Sequence, residues 1–225
     1  MNFTVMRILH FTDIHGAGNK FRKLAKDLLS ADLIVLSGDI THFGSTENCR
    51  EIIQIIHTYN ENILAVSGNC DPEPIEDFLL NERIGIHRKI VLRENIQIAG
   101  LGGSLPCPGP TPNEFTEEQA GVWLGEMHKK IDPGVTSILV FHQPPFGSST
   151  DRLINGNHVG STSVLEFIKK VQPVLCLTGH IHEARGVDTI DKCKVVNGGP
   201  FHQGYFAELE ITDENAVNVS LRRLT

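Results

Sequence analysis

Four short polar clusters lie far apart in this chain, and each closely follows an apolar run: Asp13-Ile14-His15, Gly38-Asp39, Gly68-Asn69-Cys70-Asp71 and Gly179-His180-Ile181-His182. A single histidine, His142, follows Ile138-Leu139-Val140-Phe141 in the same way. Short apolar runs bounded by turn residues have the length of buried strands rather than of helices. A fold built from them must therefore deliver the polar clusters to strand ends. Between the first three runs lie segments with helical spacing. Phe21, Leu24, Ala25 and Leu28 share one face of the first, and Ile52, Ile53, Ile55 and Ile56 give the second its core side. The resulting β-α-β-α-β order implies parallel strands joined by right-handed crossovers.

Further strands are expected at 84–92, 96–100, 137–141, 174–177, 194–196, 204–211 and 217–221. The first two and the last three read as antiparallel or edge strands. Residues 102–112 hold four prolines and three glycines and read as an irregular surface loop. Strands of the same kind resume beyond it, so it is not a domain boundary. Thr116-Glu117-Glu118-Gln119 has the form of a capping box opening a helix to about residue 130, and Ser163-Val164-Leu165-Glu166 opens another. Residues 143–160 form a long polar loop. With no internal repeat or linker in the sequence, residues 1–225 are expected to form a single domain.

Composition bounds the setting. Forty per cent of the residues are hydrophobic, enough for a sizeable core, but no stretch reaches the roughly 18 apolar residues that span a bilayer. Met1 to Arg7 lacks the basic and apolar regions of a secretory signal. Five cysteines, an odd number without CxxC spacing, fit reduced thiols. These features point to a cytoplasmic protein with no membrane partner. The net charge of −7 and the absence of a Lys/Arg cluster disfavour extended nucleic acid as a partner.

Carboxylate, amide oxygen and imidazole nitrogen together suit borderline divalent cations, and the near absence of thiolates speaks against a structural zinc site. Asp13 and His15 are two residues apart, as are His180 and His182, so each pair can share one face of an extended segment. Two such pairs can grip metal ions from opposite sides, with Asp39 offering two oxygens to bridge them. Two ions about 3.5–4 Å apart stabilise the attacking and leaving oxygens of an in-line displacement at phosphorus, with a bridging hydroxide as nucleophile. Each fragment alone is bland. Gly-Asp is a turn signal, and a lone histidine is more often a satisfied polar residue than a ligand. The shared placement after apolar strands makes joint coincidence the weaker reading.

The ordered set Asp13-Ile14-His15, Gly38-Asp39, Gly68-Asn69-Cys70-Asp71, Phe141-His142 and Gly179-His180-Ile181-His182 resembles the calcineurin-like metallophosphoesterases over residues 13–182. Val196-Asn197-Gly198-Gly199-Pro200 also looks like that family's Asn-x-Gly turn. The resemblance implies an α/β fold, a four-layer α-β-β-α sandwich of two mixed sheets. It also implies two divalent metal ions, manganese first and iron, nickel, cobalt or zinc otherwise. One ion would be held by Asp13, His15, Asp39 and His182, the other by Asp39, Asn69, His142 and His180, with Asp39 bridging. The substrate so implied is a small phosphorylated molecule.

Cys70 departs from the family pattern, Gly-Asn-His-Asp/Glu, whose histidine contacts the phosphate and is proposed to protonate the leaving group. A neutral thiol replaces it poorly, and general-acid help is worth about 10²–10⁴ in rate. Alkyl monoesters should then react slowly, while diesters and aryl leaving groups are favoured. Gly-Asn-Cys-Asp resembles small prokaryotic members regarded as phosphodiesterases. Asp71 is left without the histidine it would orient. His158, in the long polar loop, is a candidate replacement acid, with the Gly160 and Ser161 amides as an anion-binding turn. His10, His42 and Arg152 are lesser candidates, and His57, His87, His128 and His202 follow no pattern. The expected function is a dinuclear metal-dependent phosphodiesterase acting on a small phosphodiester or nucleotide, with Asp39, Asn69, Cys70 and His158 as its catalytic residues. The alternatives are a phosphomonoesterase using His158, and a non-enzymatic metal-binding scaffold of the same fold.

Overall fold

A computed structural model describes residues 5–224. In chain order its elements are β1 (Val5–Phe11), α1 (Ala25–Leu29), β2 (Leu33–Ser37), α2 (Thr46–His57), β3 (Ile63–Val66), α3 (Glu73–Asn81), β4 (Ile90–Arg93) and β5 (Ile96–Leu101). There follow α4 (Glu117–His128), β6 (Thr136–Phe141), α5 (Thr162–Val171), β7 (Leu175–Thr178), β8 (Gly186–Ile190), β9 (Cys193–Asn197), β10 (Tyr205–Thr212) and β11 (Val217–Arg223). The first sheet has the order β11-β10-β1-β2-β3 and the second β4-β5-β6-β7-β9-β8. Each sheet contains a parallel run, β1 to β2 to β3 in the first, with β3 at its edge, and β5 to β6 to β7 to β9 in the second. Antiparallel strands complete both sheets: β10 and β11 in the first, β4 and β8 in the second. Both sheets are therefore mixed.

The layering follows from side-chain alternation along the strands. Ile8, Leu33, Val35, Leu64 and Val66 of the first sheet pack with Ile98, Ile138, Val140, Leu175, Leu177 and Val196 of the second, filling the space between the sheets. Their sequence neighbours point the other way. Leu9, Phe11, Ile34, Leu36 and Ala65 meet Ile52, Ile53 and Ile56 of α2 and Ile75, Phe78 and Leu79 of α3. Leu101, Leu139, Phe141, Cys176 and Val195 meet Leu124 and Met127 of α4 and Val164 and Phe167 of α5. Strands with both faces covered read as continuous apolar runs, and these do. The product is the expected α-β-β-α sandwich. No helix among the described residues is long and apolar enough to cross a membrane.

Several elements differ from expectation. The run 84–92 is not one strand. Ile84 and Ile86 bond to Ala65 at the end of the first sheet, whereas Arg88 and Lys89 bond to Gly100 in the second. The segment is the crossing between the sheets, and only Ile90–Arg93 joins the ladder as β4. The helix expected around Phe21–Leu29 is a 3-10 segment, Gly18–Leu24, followed by the short α1. α5 starts at Thr162, capped by Ser161, whose hydroxyl accepts from the Val164 amide. α3 and the edge strand β8 were not expected at all. The capping box of α4 is present, with Thr116 accepting from the Gln119 amide and the Gln119 side chain returning the bond.

Candidate metal centre

All five polar clusters lie just beyond the C-terminal ends of parallel strands: Asp13 and His15 after β1, Asp39 after β2, Asn69 after β3, His142 after β6, and His180 and His182 after β7. Ligands collect at this edge of open α/β sheets because the loops converge there. Three of the strands belong to one sheet and two to the other, so the cluster straddles the gap between them.

The local backbone is unusual. Asp13, His15, Asp39 and His180 have φ of +53°, +46°, +51° and +69°. Left-handed backbone is uncommon outside glycine, and such residues gather where the surrounding structure over-determines them. Here the loops zip together: the Asp13 amide donates to Gly38 O at 3.0 Å and the His15 amide to Asp39 O at 2.9 Å. Two motif glycines are required by close approach. A Cβ on Gly38 would overlap the His142 ring, and a Cβ on Gly68 would overlap the Asp39 carboxylate.

These constraints bring seven side chains together. His182 Nε2 is 3.1 Å from Asp13 Oδ1 and 3.2 Å from His15 Nε2. Asp39 Oδ2 lies 3.7 Å from His15 Nε2 and 3.6 Å from His142 Nε2, between the two halves of the cluster. His142 Nε2 is in turn 3.0 Å from Asn69 Oδ1. The other ends of the same groups are tied down. His142 Nδ1 donates to Ser37 O at 2.8 Å, which leaves Nε2 as a lone pair facing the cluster. Asp39 Oδ1 accepts from the Cys70 amide at 2.8 Å, and Asp13 Oδ2 accepts from the Thr12 hydroxyl at 2.8 Å. The Asn69 amide nitrogen faces Cys70 Sγ and Cys107 Sγ, which turns its oxygen inward. Buried Asn197 donates to Ile181 O at 2.9 Å and so fixes the segment between His180 and His182.

The donor set fits divalent cations. Asp13 and Asp39 are 1% and 2% exposed, and among the described residues their ionic neighbours are histidines only, with no Lys or Arg beside them. Burial raises Asp39 well above the usual carboxylate range, against the opposing pull of His142. Burial, the largest single influence, would raise Asp13 too, but the His182 hydrogen bond together with the charges of His142, His182 and His15 outweighs it and holds it low. Burial takes His180 down to about 3 and His15 to about 4, so both rings present neutral lone pairs. Burial also opposes charge on His182, which Asp13 nevertheless carries above its ordinary value. Buried negative charge beside neutral nitrogen donors is what a bound cation neutralises. Asp13, His15 and Asp39 already bring ligand atoms within 4.8 Å of one another.

A cavity of about 530 Å³ opens onto the cluster, lined by His15, Asp39, Asn69, Cys70, His180 and His182. His42, Phe43 and His202 line it as well. His202 comes from the turn after β9, and its ring sits 5.1 Å from that of His15 and 5.2 Å from that of His182. No spacing signal in the sequence marks it; only the fold brings that turn to the β1 loop, where His202 N donates to Asp13 O. Cys70 is buried at the cavity wall, where burial and then the Asp39 charge push its thiol up and keep it neutral.

Other candidates lie elsewhere. His158 is not among the residues lining the cavity; its Nδ1 donates to Asp151 Oδ1 at 2.6 Å. The Gly160 and Ser161 amides are not free for an anion, because they donate to Asp151 Oδ2 and Pro144 O at 2.9 Å each. Arg152 pairs with His158 across a small bridge in the same loop. His10 is fully buried beside Ser37 Oγ at 2.7 Å, and burial keeps it neutral.

The sequence profile of the calcineurin-like phosphoesterases matches residues 6–184. An uncharacterized protein of Methanocaldococcus jannaschii is 38% identical over 205 residues, 89% of this chain and 90% of that protein. A probable glycerophosphodiester phosphodiesterase of Arcobacter nitrofigilis is 24% identical over 159 residues, 67% of this chain and 56% of that protein. Among solved structures, a Thermus thermophilus protein superposes with a TM-score of 0.72 at 20% identity, covering 99% of this chain and 100% of that one. A dimetal phosphatase of Danio rerio gives 0.66 at 11% identity, covering 98% and 99%.

Proposed function

The chain belongs to the calcineurin-like phosphoesterase family, and from that premise we propose that it is a dinuclear metal-dependent phosphodiesterase for a small phosphodiester. The observation that carries this reading is the pair of buried carboxylates, Asp13 and Asp39, set among histidine and asparagine donors with no Lys or Arg paired with them among the described residues. Asp13, His15, Asp39 and His182 would hold one ion, and Asp39, Asn69, His142 and His180 the other. Bound there, divalent cations supply Lewis acidity and a water acidic enough to act as a nucleophile at neutral pH, manganese being our first choice.

The chain's own residues set the geometry. Asp39 is held between the two halves by the Cys70 amide, so the contribution of residue 70 is its backbone. Ser37 O fixes the His142 tautomer. The neutral Cys70 thiol at the cavity wall is a weak acid and gives a leaving group little protonation. That favours esters whose leaving groups depart unaided, and with it diesters over alkyl monoesters. The glycerophosphodiester phosphodiesterase relative supports the same direction. In this reading His158 organises its own loop, and residues 1–225 work as one catalytic unit.

The test uses metal-stripped protein and two chromogenic substrates, an aryl phosphodiester and the matching aryl monoester, with Mn²⁺, Ni²⁺, Co²⁺, Zn²⁺ or Mg²⁺ restored singly. We expect metal-dependent turnover with the diester preferred, and a loss of at least about 100-fold in Asn69→Ala. A folded protein inactive with every metal would instead support a scaffold.

A further inference from the structure

The turn Thr41–Gly44 runs along the mouth of the cavity. It is locked from beneath: Thr41 N and Oγ1 donate to the buried Asp71 carboxylate at 2.7 and 2.8 Å, and Gly44 N donates to Thr41 Oγ1 at 3.2 Å. Phe43 N donates to Cys70 O at 3.1 Å. This fastening holds Phe43 at φ +55°, a genuine outlier for a bulky side chain. It also leaves Phe43 52% exposed at the cavity wall, its ring edge-on to His42 at 4.9 Å between centroids. A left-handed backbone and an exposed ring both run against stability. Other large hydrophobic residues are exposed in this protein, among them Leu92, Val122 and Ile154, but they do not line this cavity.

We propose that Phe43 is a specificity platform that stacks a planar aromatic group of the substrate beside its phosphoryl group. The substrate class is then an aryl or nucleoside phosphoester. An exposed ring on a fastened backbone is accessible to a planar partner with the turn already ordered, and stacked aromatic pairs gain beyond simple burial. The proposal rests on the phosphoesterase reading for the placing of the phosphoryl group at the cluster.

The test reads binding rather than turnover. Calorimetric titration of manganese-loaded protein compares phenyl phosphate with methyl phosphate, and adenosine 5′-monophosphate with ribose 5-phosphate. The aromatic member of at least one pair should bind about tenfold tighter, and the pair that does so distinguishes a small aryl group from a nucleobase. Phe43→Ala should abolish the preference, and Phe43→Tyr should keep it. Phe43→Gly should leave the urea midpoint unchanged or raised, because glycine tolerates the left-handed turn. Equal affinities within both pairs in the unaltered protein overturn the platform, as does a preference that survives Phe43→Ala. So does a lowered urea midpoint in Phe43→Gly, which would make the ring a packing residue. A protein that binds with this preference yet hydrolyses no ester refutes the phosphodiesterase reading and leaves the platform standing.

Discussion

Asp71 shows how one side chain can hold two loops together, its own after β3 and the one after β2. Its carboxylate accepts from the amides of Ile40, Thr41 and Gly68 and from the Thr41 hydroxyl, at 2.7 to 2.9 Å, and it is fully buried. Removing an acceptor shared by four buried donors leaves each unpaired. Asp71→Ala should therefore cost more than about 3 kcal/mol, read as a drop in the urea midpoint, while a loss under about 1 kcal/mol would mean the loops hold without it. From sequence, Asp71 is only the last letter of a motif whose histidine is missing. Three of its four donors lie 30 or so positions away, and all but the Thr41 hydroxyl are backbone groups, which carry no signature. The metal-competent residues were legible because their chemistry is in their side chains and their placing follows from the strands before them. His202 and Phe43 were not, because a loop's aim is set by tertiary contacts.

At the scale of elements, legibility followed the strength of local signals. α4 announces itself with Thr116 and Gln119, and the structure has both halves of that box. Thr116→Ala should lower stability by about 1 kcal/mol, seen as a fall of a few degrees in melting temperature, with Gln119→Ala smaller. No change in Thr116→Ala would mean the helix is held by packing alone. α3 begins without a side-chain cap, directly behind Pro72, and its apolar face is the short set Ile75, Phe78 and Leu79. β8 buries none of its residues fully, so it lacks the apolar run that marks the inner strands. The misread stretch at 84–92 has apolar residues at both ends, but only Ile84–Ile86 are buried, and Arg88, Lys89 and Leu92 are exposed. It passes from one sheet to the other, and hydrophobicity does not record which ladder a residue joins.

At the scale of the whole molecule, the donors divide between the sheets: Asp13, His15, Asp39 and Asn69 hang from the first, and His142, His180 and His182 from the second. Ions bound among them would fasten the two sheets to each other. A cation at a hundred times its dissociation constant should add about 2.7 kcal/mol to the unfolding free energy of stripped protein, and a chelator should take it away. Urea denaturation with and without Mn²⁺ measures this, and identical curves would mean the sheets are not bridged. The same division has a consequence for the life of the chain. A displacement of one sheet along the other by a single residue, about 3.3 Å, would scatter the donors beyond common reach. A centre held by these donors therefore needs the two sheets to meet in register, and a mispaired chain would lack it. In the proposed reading, measured turnover would count only correctly assembled molecules.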